Sequence, residues 1–331
     1  SMSLEEFKTE EEYLSQMQRG ALLNPRIDST FKALFTSPTK EARAALHSFL
    51  EAATERKIKS FSLTANDVPE NFLGQRRVSY DIACEFDDGL SADIEMQAFE
   101  QQYDYGKRAE YQVARLETTY LKKGDTWEKA PTVYQITVLD FHYDSSSEDV
   151  VSRYAMRTKD GRELSNSLNI IFIDLTKVSK LEENVESNTA LENWAIFLKN
   201  ADNPNKKEII TKLTNTEEGL MQAQKSLSSI SADRDLWITQ YRQEIYERDR
   251  RSSLDAMKKA GIEEGMKKGL EKGIKKGRAE GIKTGRAEGI KTGRAEEKLN
   301  IVKNALRAGI PIEQIALISG LTEEEIKQVA L

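Results

Sequence analysis

Residues Val78 to Gln97, VSYDIACEFDDGLSADIEMQ, constrain the fold more than any other stretch. Alternation with period 2 runs on both sides of Asp87-Asp88-Gly89, and a three-residue loop closing on glycine joins two antiparallel strands. That loop sets the register. Phe86 faces Leu90, Ala83 faces Asp93, Ile82 faces Ile94 and Asp81 faces Glu95. Side chains two apart share a face, so Asp81, Ala83, Asp93, Glu95 and Gln97 point one way. Tyr80, Ile82, Cys84, Phe86, Ile94 and Met96 point the other way and belong to a core. Carboxylates opposite each other on a sheet repel. Two readings remain open: a hard divalent cation turns the repulsion into attraction, or the acids form a solvated face.

Asp81, followed one strand later by Glu95-x-Gln97, resembles the PD-(D/E)XK nuclease core. It is most similar to the transposase-like, recombination-promoting nucleases (the Rpn type) of bacteria. Asp28-Ser-Thr-Phe-Lys-Ala-Leu-Phe35, Arg108-x-x-Tyr111, the glycine-rich tail and the closing helical pair fit the same family. The resemblance implies an α/β fold, a PD-(D/E)XK nuclease-like mixed central sheet flanked by helices and followed by a helical C-terminal arm. It implies a metal-dependent DNA endonuclease with a D…ExQ site, in which Asp81 and Glu95 hold Mg2+ or Mn2+ and Asp28 lies near the metal. The commonest core pattern has lysine where Gln97 stands. An amide orients a water but is a poor base, so modest activity at high metal concentration is expected. Roles in recombination or phage defence follow from the resemblance alone.

Along the chain, Asn24-Pro25 marks a turn, and Asp28 also suits the N-cap of the helix that follows. Ser37-Pro38 predicts a second helix reaching about Ala53, with Ser37 as cap. A strand is predicted within 58–65, and Arg76 and Arg77 are candidate phosphate contacts or a solvated pair. A helix over about 106–123 follows Gln97, so its first turn reaches back over the acids. Arg108 is the candidate contact to the scissile phosphate, with Tyr111 orienting it; an edge-of-core tyrosine is the plainer reading of Tyr111. Strands follow over 131–143 and 168–175, then a charged helical stretch over about 209–254. The expected organisation is a nuclease-like domain over 20–205, a charged helical segment over 206–255, a glycine-repeat helix or arm over 256–297 and a short helical pair over 298–331.

In the arm, nine glycines recur every fourth residue from Gly261 to Gly293. Each glycine inside a helix costs roughly 1 kcal/mol relative to alanine, so a lone helix here is poor. Small residues at this spacing let two backbones approach closely, and a period above 3.6 winds the stripe in the right-handed sense. A homodimer paired through this repeat is one reading; a flexible, partly helical arm is the other. In the closing pair Ile312, Ile315 and Ile318 form a stripe and Thr322 caps the last helix. Glu323, Glu324 and Glu325 stand where a DNA-reading helix would meet bases, which favours packing over readout.

One cysteine and two histidines cannot build an ordinary zinc site, and they remove most histidine-based catalytic schemes. The net charge of −6 disfavours indiscriminate DNA binding, although lysines and arginines outnumber acids between Met257 and Lys298. No run approaches about 20 apolar residues, so no membrane span is expected and a cytoplasmic location is. DNA is the expected partner. From a different class, the chain reads as a catalytically weak or inactive DNA- or partner-binding assembly module, which metal binding distinguishes from the nuclease.

Overall fold

A computed structural model describes residues 9–68, 78–79, 81–99, 104–121 and 123–330. They divide into two compact units, Ser1–Arg248 and Asp249–Leu331.

The first unit opens with α1 (Glu10–Gln18), α2 (Asp28–Thr36) and α3 (Lys40–Thr54), then strand β1 (Phe61–Leu63) and the short pair β2 (Asp67–Val68) and β3 (Val78–Ser79). The predicted hairpin follows as β4 (Ile82–Phe86) and β5 (Ser91–Gln97). Its pairing, Ile82 with Ile94 and Ala83 with Asp93, is the register read from the sequence. Gly89 has φ +81°, and its N–H donates to the Phe86 carbonyl at 3.1 Å, closing the loop. Then come α4 (Tyr105–Tyr120), β6 (Val133–Leu139), β7 (Val151–Ala155), β8 (Leu168–Asp174), α5 (Ala190–Asn200), α6 (Lys207–Thr216), α7 (Glu218–Ile230) and α8 (Arg234–Arg307).

Six strands form one mixed sheet in the order β1-β4-β5-β6-β8-β7. β5, β6 and β8 are parallel; the other pairings are antiparallel. The alternating sets sort onto opposite faces. Ile82, Cys84, Phe86, Ile94, Met96, Tyr134, Ile136 and Val138 join the main core with Phe31, Phe35, Phe49, Trp194 and Trp237. On the other face Ala83 and Val133 meet Val113 and Leu116 of α4, and Leu139 and Phe172 meet its Tyr105 and Ala109. The carboxylate face is therefore roofed by α4, which removes the solvated-face reading. Tyr80, Arg76 and Arg77 lie outside the described residues.

Several local expectations shift. Thr39 caps α3, accepting from Ala42 N–H at 3.1 Å, in place of Ser37. The charged stretch expected as one helix is three, broken at Glu217 and at 231–233. β7 carried no prediction; its side chains are half-buried or exposed, so no apolar alternation announces it.

In the second unit, the later part of α8 leads to α9 (Ile312–Ser319) and α10 (Glu323–Ala330). Val302, Ile315 and Ile326 make a small core there. Thr322 and Glu325 form a reciprocal cap, each accepting from the other's backbone N–H. Ile318 is exposed, so the expected stripe of three isoleucines does not hold. Among the described residues no helix is long and apolar enough to cross a membrane.

Candidate active site

Asp81 occupies a bend just before β4. The hairpin register, continued by one residue, makes it level with Glu95, and the Met96 N–H donates to its Oδ2 at 3.2 Å. Asp28 opens α2, and Lys32, one turn later, lies on the same side of that helix. The Lys32 ammonium stands between the two acids, 3.3 Å from Asp81 Oδ1 and 3.5 Å from Asp28 Oδ2. The capping role expected of Asp28 is not realised: Ile27 holds the N-cap position and no side chain caps the helix. Asp28 Oδ1 is instead buried with no hydrogen-bond partner among the described residues.

Glu95 is 1% exposed and lies under α4. The Tyr105 hydroxyl donates to its Oε2 at 2.9 Å, Gln112 Nε2 donates to its Oε1, and Arg108 Nη2 stands 3.5 Å from Oε2. Two residues earlier Asp93 is fully buried and faces Gln135 across β5 and β6 without a well-formed hydrogen bond. Ser91 and Thr137 extend this buried polar row. Burying such groups costs folding free energy unless they are fully bonded, and acids whose titration is displaced by burial and by one another are a mark of functional sites.

The electrostatics follow from crowding. Burial, reinforced by Asp81, raises the Glu95 carboxyl to about 7 against the pull of Arg108, Tyr105 and Gln112. Burial, then Glu95 and Asp81, push Asp93 well above the usual carboxylate range. Burial and Asp28 raise Asp81, opposed by Lys32 and the Met96 N–H. For Lys32, burial works against the charge, but Asp81 and Asp28 outweigh it and hold the amine above its ordinary value.

A cleft of about 580 Å³ opens beside these groups. Asp28, Asp81, Met96 and Gln97 form one wall; Arg242, Gln243 and Tyr246 of α8 form the opposite one. Gln240, buried on the same helix, fixes that wall. It accepts from the Asn24 N–H at 2.8 Å and donates to the Tyr13 hydroxyl at 2.7 Å. Ser29 Oγ donates to Gln243 Oε1 at 3.0 Å, tying α8 to the start of α2.

Among the described residues no three carboxylate, thiol or imidazole groups stand in metal-holding geometry. The donor set still fits a hard divalent cation in kind. It offers carboxylate oxygens from Asp28, Asp81 and Glu95, an orphaned buried oxygen on Asp28, and a site between Asp28 and Asp81 that already holds a positive charge. Glu95 Oε1 accepts from Gln112 and keeps a second lone pair, whereas Oε2 already takes Tyr105 and the longer contact to Arg108.

Asp28, Asp81 and Gln97 thus meet at the cleft, with Glu95 behind Asp81. Arg108 turns to Glu95 and also lies over the Tyr105 ring. Tyr111 is 38% exposed, and among the described residues no hydrogen bond joins it to the acids of the site. At about 100° per residue, Arg108, Gln112 and Arg115 fall within about 60° of arc, while Tyr111 sits beyond its edge. The sequence reading missed Lys32, Tyr105, Gln112 and the α8 wall. Of these only Lys32 left a signal, four residues after Asp28. A family model described as PD-(D/E)XK nuclease family transposase matches residues 25–257, most of the chain. No curated protein and no solved structure matches it significantly.

Proposed function

The chain belongs to the PD-(D/E)XK nuclease family transposases, and from that premise we propose that it is a divalent-metal-dependent endonuclease that hydrolyses phosphodiester bonds of DNA. The observation that supports this most is Asp81 at the wall of an open cleft with Glu95 level with it on the next strand. Asp81 and Glu95 are the proposed ligands of Mg2+ or Mn2+, assisted by Asp28 and the Met96 carbonyl. When bound, such a cation polarises the phosphate and lowers the pKa of a water.

The chain's own residues do the rest. Gln97, on the cleft wall, orients the attacking water through its amide. The water oxygen bonds to phosphorus as the bond to the leaving sugar oxygen breaks with its electron pair; one proton leaves the water and the leaving oxygen gains one. Tyr105, Gln112 and Arg108 hold Glu95 in place. Arg108 is therefore assigned to Glu95 and not to the scissile phosphate, and Tyr111 receives no role. Across the cleft, Arg242 contacts a backbone phosphate, and Tyr246, 66% exposed, offers a face to a base.

The assembly-module reading draws support from the same Glu95, whose two oxygens both already accept protein donors. Titration with Mn2+ separates the two, since a module without metal chemistry binds none at millimolar concentration. We assign the glycine repeat over 256–297 to pairing with a second copy, because Ile262, Met266, Leu270 and Ile274 follow successive glycines and are exposed.

The decisive assay is plasmid cleavage with Mg2+ or Mn2+ by Asp81→Ala and Glu95→Ala. A loss of about 100-fold or more is expected for each. Cleavage unchanged in both variants refutes the assignment.

A further inference from the structure

Among the described residues Lys32 supplies the one amine in ion-pair contact with both acids of the cleft wall, and the reaction as set out above does not use it. Its Nζ is 3.3 Å from Asp81 Oδ1 and 3.5 Å from Asp28 Oδ2, longer than the 2.7–2.9 Å typical of a tight charged hydrogen bond. The side chain is 37% exposed, and an ammonium on a four-carbon stem changes partners readily. A cation entering between Asp28 and Asp81 must take the volume that this ammonium fills.

The charge balance of the site gives the amine a destination. A phosphodiester in the cleft brings negative charge to a wall carrying Asp28 and Asp81, with Glu95 behind it. Attack on phosphorus concentrates further charge on the phosphoryl oxygens. Gln97, on the same wall, brings no charge to offset it.

We infer that Lys32 exchanges partners during the catalytic cycle: its ammonium bridges Asp28 and Asp81 in the metal-free protein, and moves to the phosphoryl oxygens when a divalent cation takes the two carboxylates. This rests on the nuclease reading of the same site. The exchange has two consequences of opposite sign. Removing the amine removes a competitor for the carboxylates, so metal binds more tightly. It also removes the cation that stabilises the attacked phosphate, so cleavage slows. A merely structural lysine produces no such pair of effects.

The test uses the full chain, with Mn2+ alone in calorimetry and plasmid in the cleavage assay. Lys32→Ala is expected to bind Mn2+ at least about fivefold more tightly than wild type and to cut about 100-fold more slowly at saturating Mn2+. Lys32→Arg, which keeps the charge and controls for folding, is expected to hold Mn2+ affinity near wild type. Mn2+ affinity unchanged or weakened in Lys32→Ala, or cleavage within about twofold of wild type, overturns the exchange. Failure of the nuclease reading looks different: wild type then binds no Mn2+ at millimolar concentration, or Asp81→Ala binds Mn2+ and cuts as wild type does.

Discussion

Glu95→Gln separates the folding cost of the buried carboxylate from its use. In the metal-free protein Glu95 titrates near 7 against an ordinary 4.5, with burial as the main cause. The folded chain therefore holds this proton more tightly than the unfolded chain. Its contribution to stability is greatest below the unfolded value, falls as pH rises between the two values, and is lost above about 7. At about 1.4 kcal/mol per pK unit, the fall amounts to about 3 kcal/mol. Glutamine carries no charge to bury but gives up an acceptor for Arg108 or Tyr105, a loss of about 1 kcal/mol. The expected net effect above neutrality is a gain of about 2 kcal/mol for Glu95→Gln. Removing the Glu95 charge also relieves Asp93, which reinforces the gain. Near pH 4.5 the variant should be no more stable than wild type. Urea unfolding followed by circular dichroism, with chelator present, at about pH 4.5, 6 and 8 measures this directly. A stability difference that stays flat across that range refutes the reasoning, because Glu95 would then be a satisfied anion with no folding cost to release.

Arg242→Ala should weaken DNA binding uniformly across sequences and reduce the slope of log affinity against log salt by about 1; an unchanged slope removes Arg242 from the phosphate contacts. Gln240→Ala should destabilise the chain by about 1–3 kcal/mol, because it removes the acceptor of the buried Asn24 N–H and the amide that donates to the Tyr13 hydroxyl; denaturant midpoints report it. Burial, followed by Asp93, pushes the Cys84 thiol up to about 12, so it should stay unlabelled by thiol reagents at pH 8 until urea unfolds the chain. Alanine at Gly269, Gly273, Gly277 and Gly281 meets no neighbouring atom. These substitutions should raise helicity by about 1 kcal/mol each while weakening self-association in sedimentation. Association that is unchanged or stronger takes the glycine stripe out of the interface.

The hairpin was legible because its information is local. Asp87-Asp88-Gly89 fixes the loop, the loop fixes the register, and the register makes Asp81 and Glu95 level. What surrounds Glu95 was not legible, because the choice among the neighbours on α4 depends on how that helix is rotated over the sheet. A rotation of one residue puts Gln112 on the carboxylate and leaves Tyr111 outside. Asp28 misled for a related reason. Its position at a helix start suggested a cap, but the chain enters α2 through Ile27 and frees the carboxylate for Lys32. The α8 wall is separated from Asp81 by more than 150 residues, and nothing in its own spacing singles out Arg242 or Tyr246.

Anomalous scattering from a crystal soaked in Mn2+ tests the metal assignment most directly. The proposed site predicts a peak about 2.1 Å from carboxylate oxygens of both Asp81 and Glu95, with the Lys32 ammonium displaced from Asp28. A peak elsewhere, or none at millimolar Mn2+ with Lys32 still between Asp28 and Asp81, contradicts it.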